Sequence, residues 1–152
     1  MKKTDEFLVD RLIWKAKKYN FPTNYSFFYN ELSADVQQYL NVYIEKFVAG
    51  KPVLFFTSPS KKWTLVCSRQ IICNDNKDVF KIIIQDIQEL KPTVIDNASS
   101  NKLVDLRESE KLEWHQMTVV DKEKNSYILY ADKGSDLFAL WNILLMAVRL
   151  YD

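Results

Sequence analysis

The chain from Pro52 onward consists of short runs of β-forming residues joined by polar links of only a few residues. Apolar and polar residues alternate in several of these runs; Trp63, Leu65 and Cys67, for example, share one face of their run. Links of this length favour hairpins, and the two strands of a hairpin pair antiparallel. The pattern predicts an antiparallel sheet with seven strands, at residues 53–57, 63–68, 70–73, 79–84, 103–106, 114–120 and 126–131.

Two helices are predicted before this β region. The first covers residues 5–18 with Thr4 as its cap, and the second covers residues 34–49 with Ser33 as its cap. Gly50 and Pro52 mark the end of the second helix, because glycine adopts left-handed backbone and proline cannot continue a helix. Residues 19–32, between the helices, are rich in aromatic side chains, which we expect to pack across the domain.

A third helix is predicted at the end of the chain, over residues 136–150 with Ser135 as its cap. Its apolar residues have helical spacing and form one wide face, made of Leu137, Leu140, Trp141, Leu144, Leu145 and Val148. Such a face should cover an open end or a face of the sheet. If it is buried, we expect Trp141→Ala to lower the free energy of unfolding by about 3–5 kcal/mol in a chemical melt.

Length and charge narrow the class of protein. We expect the 152 residues to form a single domain, in which a helical extension (1–51) precedes the β region and last helix (52–152). The 21 basic and 20 acidic residues leave a net charge of +1, which argues against a nucleic-acid partner. No apolar run is long enough for a membrane span, and Asp5 and Glu6 interrupt any signal peptide. We therefore expect a cytoplasmic protein in which Cys67 and Cys73 are buried, reduced thiols.

Two segments of the β region are similar to those of a known class of domain. Residues 63–72 (WTLVCSRQII) resemble the second and third strands of pleckstrin-homology-like domains of the bacterial and GRAM types, and residues 80–90 (FKIIIQDIQEL) resemble the strand that follows. The resemblance covers about residues 52–152. It implies an α+β fold in which a seven-stranded antiparallel barrel is closed by the C-terminal helix. The two N-terminal helices would then pack on this barrel.

The residues needed for common enzyme chemistry are largely missing. The chain has two glycines, Gly50 and Gly134, which is too few for a dinucleotide fingerprint and does not match the spacing of a phosphate-binding Walker loop. His115 is the single histidine and lacks the spaced partners of a metal site, so we expect neither a metal nor another cofactor. The letters S-x-x-K at residues 58–61 lie between two β runs and predict a turn. We therefore expect a protein that is not an enzyme.

Surplus aromatic residues on a small domain of balanced charge favour a surface that binds another protein. We expect a non-enzymatic recognition module with a protein partner, and a bacterial accessory role, such as neutralising a toxin as immunity proteins do, fits this expectation. The candidate interface residues are Tyr19, Tyr25, Phe28, Tyr29 and Tyr43.

Two alternative functions remain open. The resemblance implies that basic residues near the first hairpin, here Lys61, Lys62 and Arg69, bind anionic lipid headgroups such as phosphoinositides. The lipid motif's basic ending is absent, and three basic groups at about 1 kcal/mol each give less binding energy than even a millimolar complex requires. The other alternative is a small hydrolase, which would have to use His115.

Overall fold

The computed structural model describes residues 3–93 and 116–150, which form three helices and two antiparallel sheets. The helices are α1 (Asp5–Lys17), α2 (Ala34–Phe47) and α3 (Ser135–Leu150). The first sheet contains β1 (Ser26–Phe28), β2 (Pro52–Phe56), β3 (Trp63–Cys67), β4 (Gln70–Asn74) and β5 (Val79–Ile83). The second contains β6 (Ile87–Pro92), β7 (Gln116–Asp121) and β8 (Ser126–Tyr130).

The five-stranded sheet is the central layer of the molecule. Its strands pair in chain order, and at one edge β1 pairs with β2, where Phe27 lies opposite Phe55. One face of the sheet is covered by α2, whose Leu40 and Ile44 are buried against Phe55, Leu65 and other side chains of that face. Because neighbouring residues of a strand point to opposite faces, the same strands also supply a second core.

The second and larger core lies on the other face of the five-stranded sheet. It is formed together with α1, α3 and the three-stranded sheet, and its members include Leu12, Phe56, Ile71, Met117, Leu129, Leu140 and Leu144. The α1 cap is the Thr4 side chain, which accepts a hydrogen bond from the backbone N–H of Phe7. Residues from the first and last helices thus share one core with both sheets.

The expected seven-stranded, PH-like barrel, closed by its C-terminal helix and preceded by two packed helices, is wrong. The described residues form eight strands in two sheets of five and three, and the sheets do not close into a barrel. One reason is that β1 pairs with β2 and thereby occupies the sheet edge next to β2. The other is a 3₁₀ turn at Ile84–Asp86, after which β6 pairs with β7 and starts a separate sheet.

The contact between the two sheets is made by side chains. The Thr64 hydroxyl on β3 donates to the carbonyl oxygen of Tyr130 on β8 at 2.7 Å and accepts from its N–H at 3.1 Å. Beside it, the Cys73 thiol lies 3.6 Å from the carbonyl oxygen of Ile128. These side chains connect β3 and β4 to β8. In a continuous barrel, neighbouring strands would be connected by hydrogen bonds between their backbones.

The apolar face of α3 packs on the three-stranded sheet and on α1. Leu137, Leu140 and Leu144 of the predicted face are fully buried, whereas Trp141 is half-buried and donates from its indole N–H to the carbonyl oxygen of Leu90 at 3.1 Å. The buried surface also includes Ala139, Ile143 and Ala147, which the predicted stripe omitted. The predicted strand at residues 103–106, and residues 114–115 of another predicted strand, lie outside the described residues.

Candidate functional site

An aromatic cluster forms where α2 crosses the five-stranded sheet. Trp63 of β3 is buried under the helix, and the rings of Tyr39 and Tyr43 lie over it with centroid separations of 6.0 Å each. Tyr39 and Tyr43 are one helical turn apart and contact each other at 5.6 Å. Their proximity raises the pKa of Tyr43, since the charge of one phenolate disfavours the other. The cluster therefore holds two phenol rings in fixed positions at the surface.

An open groove of about 500 Å³ runs between this cluster and the turn that joins β4 to β5. We call it the α2 groove, and it is lined by Tyr39, Tyr43, Lys46, Asn74, Asn76, Lys77, Asp78 and Val79. Aromatic rings form one wall, and amide and charged groups form the other. This combination resembles the composition of protein interfaces, in which aromatic residues at the centre are surrounded by polar residues.

The polar wall of the α2 groove is held in place by its own hydrogen bonds. The Asp75 carboxylate accepts from the backbone N–H groups of Asp78 at 2.8 Å and of Lys77 at 2.9 Å, which lowers the pKa of Asp75. The Asn74 side chain accepts from the N–H of Asn76, whose amide in turn donates to the carbonyl oxygen of Ser60. The turn is thus braced before any partner binds, which lowers the entropy lost on binding.

Large apolar side chains of α2, in the groove and one turn from it, are left exposed to solvent. Tyr39 is 46% exposed and Val42, one turn away on the same helix, is 63% exposed. Together with the half-buried Tyr43 they form a contiguous patch at positions i, i+3 and i+4 of α2. Isolated apolar residues on a surface are ordinary, but a contiguous patch beside a groove is a candidate binding surface.

The five aromatic residues predicted to form an interface do not lie together. Tyr29 is buried and its hydroxyl donates to Asn41, while Phe28 packs on Phe21 within the larger core. Tyr19 lies against the ring of Phe138 on α3. Tyr43 lines the α2 groove, Phe28 contributes to a smaller apolar cavity beside α1, and Tyr25 is half-buried.

The three basic residues predicted to bind lipid are also separated. Lys61 and Lys62 precede β3 and Arg69 follows it, which places them at opposite ends of the strand, roughly 20 Å apart. Arg69 donates to the Asp5 carboxylate at 2.7 Å and to the carbonyl oxygen of Lys3 at 2.8 Å, so it ties the start of α1 to the β3–β4 turn. Lipid binding by these three residues as one site stays a prediction that the geometry does not favour.

Lys62 lines a second cavity, of about 380 Å³, where the β2–β3 link meets the end of β8. Its ammonium group lies 4.5 Å from the centroid of the Tyr130 ring, and Ser58 and Ser60 on the same link hydrogen-bond to each other at 2.7 Å. Burial raises the pKa of Tyr130. Lys133 and Asp132 also line this cavity, so the charged residues of its described lining are two lysines and one aspartate.

Neither cysteine is placed to act as a nucleophile. Cys67 and Cys73 are free and buried, as predicted, and burial raises the pKa of each thiol to about 12. A neutral thiol is a poor nucleophile and a poor metal ligand. Within residues 3–93 and 116–150, no group of three or more His, Cys, Asp or Glu side chains has the geometry of a metal site. His115, the basis of the hydrolase alternative, lies outside this part of the chain.

Comparisons of the chain with protein-family models, with curated proteins and with solved structures found no match. The resemblance of residues 63–72 and 80–90 to pleckstrin-homology-like domains therefore stays a prediction based on those residues. Among the described helices, none is long and apolar enough to span a bilayer.

Proposed function

We propose that the chain is a non-enzymatic recognition module that binds a protein partner through the α2 groove and the adjoining patch on α2. The observation that carries this proposal is the exposure of Tyr39 and Val42 beside a preformed aromatic wall. Tyrosine is among the residues that contribute most to protein interfaces, because its ring is large, rigid and able to form a hydrogen bond. The module needs no chemistry beyond binding.

Burial of the exposed side chains of α2 supplies part of the free energy that a protein complex requires. Burying a fully exposed large apolar side chain contributes about 1.5–3 kcal/mol. Tyr39 and Val42 are 46% and 63% exposed, so burying the rest of both side chains contributes about 1.5–3.5 kcal/mol. A micromolar complex requires about 8 kcal/mol, after the entropic cost of association has been met. The remainder has to come from other side chains buried in the interface, whereas Lys46, Lys77 and Asp78 at the rim of the groove select a partner of complementary charge.

The proposal extends to the setting in which the module works. Free, buried thiols at Cys67 and Cys73 suit a reducing compartment, and we place the protein in the cytoplasm on that support. A protein that acts by binding alone suits an accessory role, such as neutralising a toxin.

A photo-crosslinking amino acid introduced at Tyr39 tests the proposal directly. In cells of the native host, we expect this variant to form a discrete crosslinked species with one protein. The same amino acid placed at Lys124, in the β7–β8 turn, serves as the matched surface control and should give no such species. The crosslinked protein is then identified by mass spectrometry and purified.

Binding of the purified partner to the wild-type chain and to Tyr39→Ala and Val42→Glu variants completes the test. We expect each substitution to weaken binding roughly 5- to 30-fold, which corresponds to the loss of one important interface side chain. Thermal melts establish that both variants are folded. If the variants bind as tightly as the wild type, or if crosslinking is equal at residues 39 and 124, the α2 groove is not the recognition surface.

A further inference from the structure

A second group of exposed aromatic residues lies on α1, away from the α2 groove. Four residues spaced at i, i+4, i+7 and i+11 form one line along α1 and its C-cap. We call this line the α1 stripe, and its members are Phe7, Arg11, Trp14 and Lys18. The opposite side of α1 is the buried one, where Leu8, Leu12 and Ala16 pack into the protein. The helix is therefore anchored by one face and presents the α1 stripe to solvent.

The apolar members of the α1 stripe are unusually exposed for their size. Trp14 is 42% exposed and Phe7 is 41% exposed. Cations lie over the indole, with the Arg11 guanidinium 4.1 Å and the Lys18 ammonium 3.8 Å from the ring centroid. Such cation–π contacts fix the ring at the surface without burying it, because the long side chains of Arg11 and Lys18 keep their charges in water.

The charge around the α1 stripe is positive. Of the three acidic residues of α1, Asp5 pairs with Arg69 at 2.7 Å and Glu6 pairs with Lys51 at 2.9 Å. This leaves Asp10 against the four basic residues of the helix and its cap. The second half of the helix and its cap carry Arg11, Lys15, Lys17 and Lys18, and within the described residues none of these four has a carboxylate within ion-pairing distance. Basic residues at a helix C-terminus stabilise the helix dipole, but that role does not require the exposed rings of Phe7 and Trp14.

We propose that the α1 stripe binds the surface of an anionic lipid bilayer. Tryptophan and phenylalanine insert readily at the boundary between headgroups and acyl chains, and flanking lysine and arginine residues reach the anionic headgroups. The exposed face of a helix is convex, and exposed rings on such a face can enter a planar lipid surface. The charge complementarity of four cations with an anionic leaflet identifies the lipid class as anionic and not zwitterionic.

The inference does not depend on the proposed function, because the two surfaces are separate. The core beneath α2 lies on one face of the five-stranded sheet, and the core that contains Leu12 and Ala16 of α1 lies on the other. A module bound to a bilayer through α1 would therefore still present the α2 groove to a protein partner.

Co-sedimentation of the full chain with vesicles tests the inference. We expect binding to vesicles that combine phosphatidylcholine with phosphatidylglycerol, little binding to phosphatidylcholine alone, and weaker binding as salt rises. Arg11→Glu and Lys18→Glu should each lower the partition coefficient at least fivefold, because each replaces a cation near the anionic surface with an anion. Phe7→Ala and Trp14→Ala should lower it at both low and high salt, since their contribution is apolar.

Tryptophan fluorescence gives a second readout of the same contact. We expect the emission of the wild-type chain to shift to the blue when anionic vesicles are added. Trp14→Phe should abolish most of this shift while retaining most of the binding, because phenylalanine keeps the apolar contact and removes the reporter. Far-ultraviolet circular dichroism establishes that each variant keeps the wild-type helix content.

Two matched controls make the result specific to the α1 stripe. Val42→Ala removes an exposed apolar residue from α2, and Lys61→Glu with Lys62→Glu reverses two charges at the start of β3; neither should change vesicle binding. Three outcomes would overturn the inference. The first is the absence of binding to anionic vesicles. The second is vesicle binding that depends on residues 61 and 62 but not on the α1 stripe. The third is a wild-type chain that binds a purified acidic protein but no vesicles, with variants of the α1 stripe that lose this binding.

Discussion

Thr64 links the two sheets through a single hydroxyl group. The hydroxyl both donates to and accepts from the backbone of Tyr130, so it takes the place of a strand neighbour for that residue. Thr64 is fully buried, which leaves no water to replace these bonds. The side chain therefore has a larger effect on stability than its size indicates.

Replacing Thr64 with valine measures how much this hydroxyl contributes to the free energy of unfolding. Valine has nearly the same shape but leaves the N–H and the carbonyl oxygen of Tyr130 without that partner, so we expect the free energy of unfolding to fall by about 2–3 kcal/mol in a urea melt. Thr57→Val is the control, because the Thr57 hydroxyl makes one long bond of 3.4 Å in a partly exposed position. Equal losses for the two variants would contradict the bridging role of Thr64.

The two buried thiols make stability depend on pH in the alkaline range. Each has a pKa of about 12 in the folded chain against 9.0 for an ordinary thiol, so between these values the unfolded chain has released a proton that the folded chain retains. The folded state then binds more protons, and the free energy of unfolding falls as pH rises from 9 towards 12. Below pH 9 the thiols contribute no pH dependence.

Replacement of both Cys67 and Cys73 by alanine isolates this effect. We expect the free energy of unfolding of the double variant to fall less steeply with pH between 9 and 11 than that of the wild type, by up to two protons in slope. The tyrosines and lysines that titrate in the same range are common to both proteins and cancel in the comparison. Parallel curves would show that the thiols are not buried in the folded chain.

At the scale of elements, the end of α2 combines two residues with left-handed backbone. Val48, the C-cap residue of α2, has a φ of 53°, and Gly50 has a φ of 89°. A β carbon on Gly50 would lie 2.4 Å from the Ser68 hydroxyl oxygen and 3.3 Å from the backbone nitrogen of Arg69. Glycine at residue 50 therefore allows the α2–β2 turn to dock on the β3–β4 turn.

The two positions predict stability changes of opposite sign. Gly50→Ala should lower the free energy of unfolding by more than about 2 kcal/mol, because it adds both backbone strain and a clash. Val48→Gly should raise it by about 1 kcal/mol, since a β-branched residue is strained in this conformation and the Val48 side chain is 79% exposed. Thermal and urea melts of both variants measure the difference. A stabilising Gly50→Ala substitution would contradict the close approach of the two turns.

At the scale of the whole molecule, the sequence predicts hairpins better than it predicts sheets. β3 and β4 begin at the predicted residues, because alternation and polar links are local signals. β1 was missed because Ser26–Phe28 is three residues long and pairs with Phe56, thirty residues away from Ser26. β6 was missed because Gln88 and Glu89 interrupt the apolar pattern. Because barrel closure depends on how these two strands pair, the open arrangement of two sheets could not be predicted.

The candidate site shows the same limit of local patterns. Tyr43 was predicted as an interface residue, but Tyr39 and Val42 were not. The available signal was their position outside the apolar stripe of α2, which consists of Val36, Leu40, Tyr43 and Phe47 and packs inward. Large apolar residues outside the buried stripe of a helix are therefore the sequence feature that best indicates an exposed recognition surface. Which groove adjoins them depends on tertiary packing, here on the β4–β5 turn.

The start and end of the chain are joined by a buried carboxylate at the beginning of α3. Asp136 accepts hydrogen bonds from the hydroxyls of Thr23 at 2.8 Å and Ser26 at 3.0 Å, and Thr23 in turn accepts from the N–H of Ser26. We expect Asp136→Ala to lower the free energy of unfolding by about 2–4 kcal/mol, because Ser26 is fully buried and loses its acceptor.

Asp136→Asn is the conservative control for this prediction. Its amide oxygen still accepts both hydroxyl protons, as a single carboxylate oxygen does in the wild type, so we expect a smaller loss of about 1 kcal/mol from the removed charge at the helix N-terminus. Since β1 pairs with β2 and since α1 and α3 share one core, circular dichroism and tryptophan fluorescence should report one coincident transition for both variants. An earlier, separate transition in Asp136→Ala would mean that the N-terminal segment folds on the remaining chain as an independent unit.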